Sequence, residues 1–153
     1  MALTLIMTLV QCDNHNYSKK YYNTDKVIWG EYLNEIGVDE INMENTILLV
    51  INSSMCSPCE RELRYWNNLH NNLNKSIKLI VVEKYSSVFR TFVSKFDLRF
   101  DTYQDSSALI FKYDLIPVAP VKLFFNENSD VTMIYPMGTG GRIENFMEDL
   151  SKQ

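Results

Sequence analysis

Two cysteines separated by two residues, Cys56 and Cys59, are the residues of this sequence best placed to do chemistry. They follow a continuous apolar run at residues 47–51 and begin a segment whose apolar residues recur every three or four positions, which predicts a helix. The reactive form of cysteine is the thiolate, and the free amides and positive dipole end of a helix N-terminus favour that form. We therefore expect Cys56 to be a nucleophile and Cys59, one turn further along, to resolve the mixed disulfide that Cys56 forms.

The two residues between the cysteines shape the turn that presents them. Pro58 is tolerated at a helix start because the amide it lacks would have no partner in the helix. With Met55 and Ser57, it is expected to form part of the surface that a substrate contacts.

A Cys-x-x-Cys pair has other uses, which the rest of the sequence disfavours without excluding all of them. A zinc site needs a second pair of ligands, and Cys12, His15 and His70 are scattered along the chain, so no metal is expected. A peroxidase of the peroxiredoxin type would carry a threonine where Ser53 stands, and a copper chaperone would need a wider cysteine spacing. The alternative that stays open is a redox-inactive interaction or scaffold protein with a structural disulfide.

Length, composition and charge are those of one globular domain. The chain has 153 residues, of which 46% are hydrophobic and 22% charged, with a formal net charge of -4. Lys and Arg form no stripe that could follow a phosphate backbone, so nucleic acid is not an expected partner. No apolar run approaches the roughly 20 residues of a membrane-spanning helix.

The N-terminal residues differ in character from the rest of the chain. Residues 1–12 are an apolar stretch ending in Cys12, and this pattern resembles the lipobox of a bacterial lipoprotein, in which the cysteine becomes lipidated. The stretch lacks Lys and Arg, and Gln11 stands where a small residue is usual, so an uncleaved apolar segment is the alternative. Residues 13–23 are predicted to be a polar tether, and residues 24–153 the folded domain.

Hydrophobic periodicity predicts alternating helices and strands. Helices are expected at about residues 25–36, 59–73 and 87–96, and buried strands at 47–51 and 77–82. A weak strand at 99–103 precedes a short helix capped by Asp105 or Ser106. A hairpin at 121–125 and 131–135 precedes a last helix that opens at Gly140 and Gly141. The alternation predicts an α/β fold with right-handed crossovers between parallel strands.

Over about residues 25–150, these features resemble the thioredoxin fold, and more closely the TlpA/ResA-like group of exported thiol-disulfide oxidoreductases. The motif Cys-x-Pro-Cys is followed three residues later by Glu62, as in that group. The strand and helix at 99–113 match its insertion, and Pro120 before a strand matches its proline loop. The resemblance implies a thioredoxin-like fold: a central mixed sheet flanked by helices, with the TlpA-type extra strand and helix.

The resemblance also implies roles for individual residues. Glu62 would exchange protons with the dithiol, although an exposed glutamate pairing with Arg61 or Arg64 is the alternative. Pro120, with Pro117 as the competing assignment, would be a cis-proline facing the cysteines. The backbone of Ala119 would then pair with an extended substrate chain.

The sequence departs from the group's pattern at two positions near these residues. Met55 replaces a common tryptophan, and Arg64 replaces a common proline. These departures would reshape the substrate surface without removing the thiol chemistry.

The sequence thus predicts an enzyme that exchanges disulfides with protein substrates, in the reducing direction, with no cofactor beyond the Cys56–Cys59 disulfide. Its expected partners are protein disulfides or dithiols and a membrane or periplasmic redox partner. Its expected location is the periplasm or, through a lipid anchor at Cys12, the membrane surface.

Overall fold

A computed structural model describes residues 22–38, 43–138 and 142–153 of the chain. The predicted lipidation site Cys12 and the glycines Gly140 and Gly141 lie outside these residues. In chain order the described elements are α1 (Lys26–Glu35), β1 (Thr46–Asn52), α2 (Ser57–Leu69), β2 (Ser76–Val82), α3 (Ser86–Phe96), β3 (Asp101–Asp105), α4 (Leu109–Lys112), β4 (Val121–Phe125), β5 (Val131–Pro136) and α5 (Arg142–Leu150).

The five strands form one mixed sheet in the order β3-β2-β1-β4-β5. Strands β1, β2 and β3 are parallel, whereas β4 runs antiparallel to β1 and β5 antiparallel to β4. Strand β1 is central, and six of its seven residues are buried, as expected of a continuous run of branched apolar side chains covered on both faces. The α/β fold with a central mixed sheet between helices is therefore confirmed.

Helices cover the two faces of the sheet unequally. Trp29 and Tyr32 of α1 and Ile110 of α4 pack on one face. Trp66 of α2 and Phe146 of α5 pack on the other face, together with Phe92 and Phe96 of α3. No helix among the described residues combines the length and the apolarity needed to cross a membrane, and the longest, α2, has 13 residues.

Strand β4 sends its side chains alternately to these two faces. Val121, Leu123 and Phe125 belong to the core on the α1 face, and Phe124 belongs to the core on the α2 face. Because strand side chains alternate with a period of two, Lys122 faces the α2 side with Phe124. This orientation places a lysine in the apolar layer beneath α2.

Two predicted boundaries shift for reasons visible in the contacts. The weak strand lies at Asp101–Asp105, two residues later than expected, because it pairs in register with Lys78–Val82 of β2. Asp105 ends this strand, and its carboxylate accepts hydrogen bonds from the backbone nitrogens of Leu109 and Ile110, as a capping residue does. Helix α2 ends at Leu69 and continues as one 3₁₀ turn, so Leu73 is extended and not helical.

The folded domain begins before residue 24. Tyr22, assigned from the sequence to the polar tether, is buried in the core on the α1 face. The backbone nitrogen of Asn23 donates to the carbonyl of Leu115 at 3.2 Å, and its carbonyl accepts from Nε1 of Trp29 at 2.8 Å. Residues 22 and 23 are therefore part of the domain.

Candidate functional site

Three loops meet at one end of the sheet, where β1 and β5 end and β4 begins, because of the way the strands pair. Val50, near the end of β1, pairs with Val121 at the start of β4, and Val121 pairs with Pro136 at the end of β5. The residues that follow β1, precede β4 and follow β5 therefore lie next to one another. The cysteine motif, the Ala119-Pro120 loop and Gly138 occupy these three positions.

The cysteine pair lies at the N-terminus of α2. Cys56 is the N-cap residue, with extended backbone, and its carbonyl accepts the helix's first hydrogen bond from Glu60 at 3.0 Å. Ser57 and Pro58 form the start of the helix. Cys56 and Cys59 are both free thiols; Cys56 is exposed, whereas Cys59 is only 1% exposed.

The two thiols have opposite pKa shifts. The Cys59 thiol and the Cys59 backbone amide both donate hydrogen bonds to the Cys56 sulfur, and these contacts, aided by the charge of Arg61, lower the pKa of Cys56. Burial raises the pKa of Cys59 to about 11, with further contributions from Cys56 and from the charge of Glu62. Cys56 is therefore the thiolate-forming, accessible sulfur and Cys59 the protected one, as the nucleophile and resolving roles require.

Glu62 lies in the apolar layer between α2 and the sheet. It is 3% exposed, so the alternative of a surface glutamate paired with Arg61 or Arg64 is excluded. Its Oε1 accepts from Nζ of Lys122 at 2.7 Å and from Nε1 of Trp66 at 3.2 Å. Its Oε2 accepts from the backbone nitrogen of Gly138 at 2.6 Å. All three partners are donors, which suits a charged carboxylate.

Gly138 joins this carboxylate to the resolving thiol. A Cβ atom placed on Gly138 would lie 2.6 Å from Sγ of Cys59 and 3.0 Å from the Cys59 backbone nitrogen. The φ angle of Gly138 is +79°, which also favours glycine. The same residue thus touches Cys59 and donates its amide to Glu62, so the thiol and the carboxylate lie on either side of one glycine.

The Ala119-Pro120 loop is the third loop at this end of the sheet. The peptide bond between Ala119 and Pro120 is cis, and no other bond in the described part of the chain is cis, so Pro117 is not the cis-proline. The Pro120 carbonyl accepts from the backbone nitrogen of Met137 at 3.1 Å, which ties the loop to the end of β5. Val118, just before it, is 52% exposed, and Met55 is half-buried against the core on the α2 face.

Two charged neighbours of the motif have partners of their own. Glu60, beside Cys59, pairs with Lys95 of α3 at 2.9 Å, so its charge is partly compensated. The guanidinium of Arg64 lies over the ring of Phe96, 4.8 Å from its centre. Across residues 22–38, 43–138 and 142–153, no three His, Cys, Asp or Glu side chains are grouped so as to hold a metal ion.

Sequence reasoning missed Lys122, Trp66 and Gly138 as parts of the site. The available signal for Lys122 is a single charge inside the apolar strand of residues 121–125, because a buried lysine needs a partner. Trp66 gave only the signal of a core residue at helical spacing. Gly138 gave only the signal of a loop.

We expect Cys56 to be alkylated first when the reduced protein is treated with limiting iodoacetamide near pH 7. Hydrogen bonds from Cys59 lower the pKa of Cys56, whereas burial raises that of Cys59 to about 11. As the pH rises, Cys56 therefore forms thiolate before Cys59 does. Tandem mass spectrometry identifies the modified residue, and preferential labelling of Cys59 would contradict the assignment. In urea-unfolded protein, the two cysteines should react at similar rates.

We expect Gly138→Ala to damage the site far more than Gly37→Ala. Gly37 has nearly the same φ, +80°, but a Cβ there would have no atom within 4 Å. Both variants carry the cost of a left-handed alanine, about 1–2 kcal/mol, and Gly138→Ala also forces the new Cβ against Cys59. Urea denaturation and the rate at which a small disulfide oxidises each protein measure the difference. Equal losses in the two variants would show that the contact with Cys59 is unimportant.

Comparison with solved structures identifies proteins that share this fold. The chain is similar to a protein assigned as the thiol:disulfide interchange protein DsbE of Chlorobium tepidum (TM-score 0.65, 11% identity, covering 72% of this chain and 80% of that one). It is also similar to a secreted Mycobacterium tuberculosis disulfide oxidoreductase homologous to E. coli DsbE (TM-score 0.60, 16% identity, covering 75% of this chain and 87% of that one). A third similar structure is StoA from Bacillus subtilis (TM-score 0.57, 18% identity, covering 72% of this chain and 84% of that one).

No family model and no curated protein matches the sequence. At these identities, the likeness to solved structures establishes the fold. The resemblance inferred from the sequence is confirmed at that level: the chain has the thioredoxin-like fold of structures described as disulfide interchange proteins and oxidoreductases.

Proposed function

We propose that this protein is a thiol-disulfide oxidoreductase that exchanges disulfides with protein substrates, in the reducing direction and outside the cytoplasm. The observation that carries the proposal is the pairing of an exposed thiol of lowered pKa, Cys56, with a buried thiol of raised pKa, Cys59, at one helix start. The fold shared with proteins named for disulfide exchange supports it.

The exchange proceeds in two steps. The Cys56 thiolate attacks a substrate disulfide, forming a mixed disulfide, and the released substrate sulfur leaves with the electron pair and takes up a proton. Cys59 then loses its proton to Glu62 and attacks the Cys56 sulfur. The second substrate sulfur leaves and is protonated, so the substrate gains two electrons and the Cys56–Cys59 disulfide forms. A separate dithiol partner, in the membrane or the periplasm, returns the pair to the reduced state.

Substrate binds at the end of the sheet, on the surface where the cysteine motif and the proline loop meet. Met55, Ser57 and Pro58 adjoin Cys56 in the chain, and Ala119 and Pro120 belong to the loop before β4, at the same end of the sheet. An extended substrate segment would run along Ala119 with its disulfide over Cys56, forming hydrogen bonds with the backbone of the proline loop. The exposed Val118 beside this path offers apolar contact to such a segment.

The direction of exchange depends on how far the reduced form of the pair is stabilised. Strong oxidants of this kind owe their potential to a highly stabilised reduced form. Here the contacts that lower the pKa of Cys56 stabilise its thiolate, whereas burial and the Glu62 charge keep Cys59 protonated. The stabilisation is confined to one of the two thiols, and the reducing direction is the part of the proposal that the reduction potential tests.

We expect the reduced protein to reduce insulin with turnover when dithiothreitol is supplied, and Cys59→Ser to accumulate a mixed disulfide with insulin through Cys56. Without Cys59, the second step has no attacking thiol, so the first intermediate persists. Cys56→Ser is the matched control and should trap almost nothing. Non-reducing electrophoresis and mass spectrometry detect the adduct. Equal trapping by the two variants would contradict the assigned roles.

The reduction potential of the pair decides the direction and the alternative function. A value near that of thioredoxin, about -270 mV, fits a reductant, and one near -120 mV identifies an oxidant. A pair that stays oxidised and does not cycle with thiols would instead identify a scaffold protein with a structural disulfide.

Export and a lipid anchor at Cys12 are supported by the apolar residues 1–10 before that cysteine, and by the secreted state of the Mycobacterium tuberculosis protein with this fold. We expect cells expressing the chain to incorporate labelled palmitate into it and to recover it in the membrane fraction. Cys12→Ala should abolish the label. Label that persists in Cys12→Ala, or unlabelled protein in the cytoplasm, would argue against the anchor.

A further inference from the structure

Lys122 is the most deeply buried charged residue described in this structure, at 0% exposure, and it pairs with Glu62, three residues after Cys59. Its Nζ donates to Oε1 of Glu62 at 2.7 Å and to the Pro136 carbonyl at 3.1 Å. It also lies 5.6 Å from the ring centre of Phe146, in cation–π contact. A fixed ammonium thus stands against the carboxylate that the proposed exchange uses.

A buried carboxyl group stays charged only if it is paired and hydrogen-bonded; otherwise it binds a proton. A protonated Glu62 could not accept the proton that Cys59 must lose. Trp66 and Gly138 donate hydrogen bonds to the carboxylate, but both are neutral. Lys122 supplies the positive charge.

We propose that Lys122 is a positioning residue for the exchange: its ammonium keeps the Glu62 carboxylate charged and fixed beside Gly138, so that Glu62 can take the proton from Cys59 at the resolving step. This inference rests on the proposed function. Lys122 acts through Glu62, to which its ammonium is bonded.

The other titratable groups near the Glu62–Lys122 ion pair have partners or roles of their own. On α2, Cys59 is the titratable group whose pKa the charge of Glu62 helps to raise, and it takes part in the proposed chemistry itself. On the far side of Phe146, the hydroxyl of Tyr135 on β5 donates to Asp149 on α5, and the pKa of Tyr135 is raised to about 12. Asp149 in turn pairs with Lys152, so both are occupied with each other.

The reaction of the reduced protein with Ellman's reagent separates the two steps. The Cys56 thiolate attacks the reagent and releases one thionitrobenzoate, leaving a mixed disulfide on Cys56. Cys59 then gives up its proton and attacks the Cys56 sulfur, forming the Cys56–Cys59 disulfide and releasing a second thionitrobenzoate. All proteins carry Cys12→Ser, so that only these two thiols react.

We expect Lys122→Met to slow the second release by at least about tenfold near pH 7 and to move its pH dependence upward, while the first release changes little. If Glu62 becomes protonated, a higher pH is needed to restore the base; if it stays charged, its uncompensated charge disfavours the Cys59 thiolate. Both consequences act in the same direction. Lys78→Met is the matched control, because Lys78 is also a buried strand lysine bonded to a carboxylate, at 3.0 Å, but on the opposite face of the sheet. It should leave both releases unchanged.

A second comparison distinguishes action through Glu62 from a merely structural role. In a Glu62→Gln background, Lys122→Met should cause no further change in the rate or pH profile of the second release. The double variant removes both charges and serves even if Lys122→Met alone does not fold. A further slowing in that background, or an unchanged second release in Lys122→Met, overturns the role of Lys122. If the protein that carries only Cys12→Ser releases just one thionitrobenzoate, the proposed exchange itself is refuted.

Discussion

The Glu62 carboxylate is a charge inside an apolar layer, and the surrounding structure is arranged to make that charge tolerable. Removing one partner of a buried ion pair typically costs about 3–5 kcal/mol, because the other charge is left uncompensated. The partners of Glu62 come from α2 itself, from β4 and from the residues after β5. The requirement to satisfy one carboxylate therefore fixes how these three segments meet, and the same meeting forms the site around Cys59.

The two cysteines show how position within one helical turn separates chemical roles. Cys56, at the helix cap, faces solvent and receives hydrogen bonds, so its thiolate is favoured. Cys59 is buried beside a carboxylate, so its neutral thiol is favoured. A thiol, unlike a carboxylate, can be buried without a counter-charge, so Cys59 stays protonated in this environment. In the proposed exchange, these different environments suit Cys56 to the attacking role and Cys59 to the resolving role.

Local patterns in the sequence predicted most of the fold and the sulfur chemistry, because each depends on neighbouring residues. The apolar run of β1, the helical spacing of α2 and the Cys-x-Pro-Cys motif are all visible within a few positions. The contacts of Glu62 with Lys122 and Gly138 are not visible in this way, because these residues are 60 and 76 positions away from it in sequence. Its alternatives, surface ion pair or buried acid, could be decided only by packing.

The two strand lysines show the same limit. Lys78 and Lys122 each stand second in an apolar strand segment, yet Lys78 pairs with the largely exposed Asp101, and Lys122 with the buried Glu62. One sequence pattern therefore gives a salt bridge with an exposed partner and a charge within the site. Only the strand order and the face on which each side chain lies distinguish them.

Gly138 explains why the resolving thiol depends on tertiary structure in a way that the nucleophile does not. Because Gly138 has no side chain, Sγ of Cys59 can lie close to its backbone. The backbone amide of the same residue donates a hydrogen bond to Glu62. The reactivity of Cys56 arises from its helix start and from Cys59, within four residues. The contacts of Glu62 beside Cys59 require α2, β4 and the residues after β5 to be packed together. In the proposed exchange, the second step therefore depends on this packing more than the first step does.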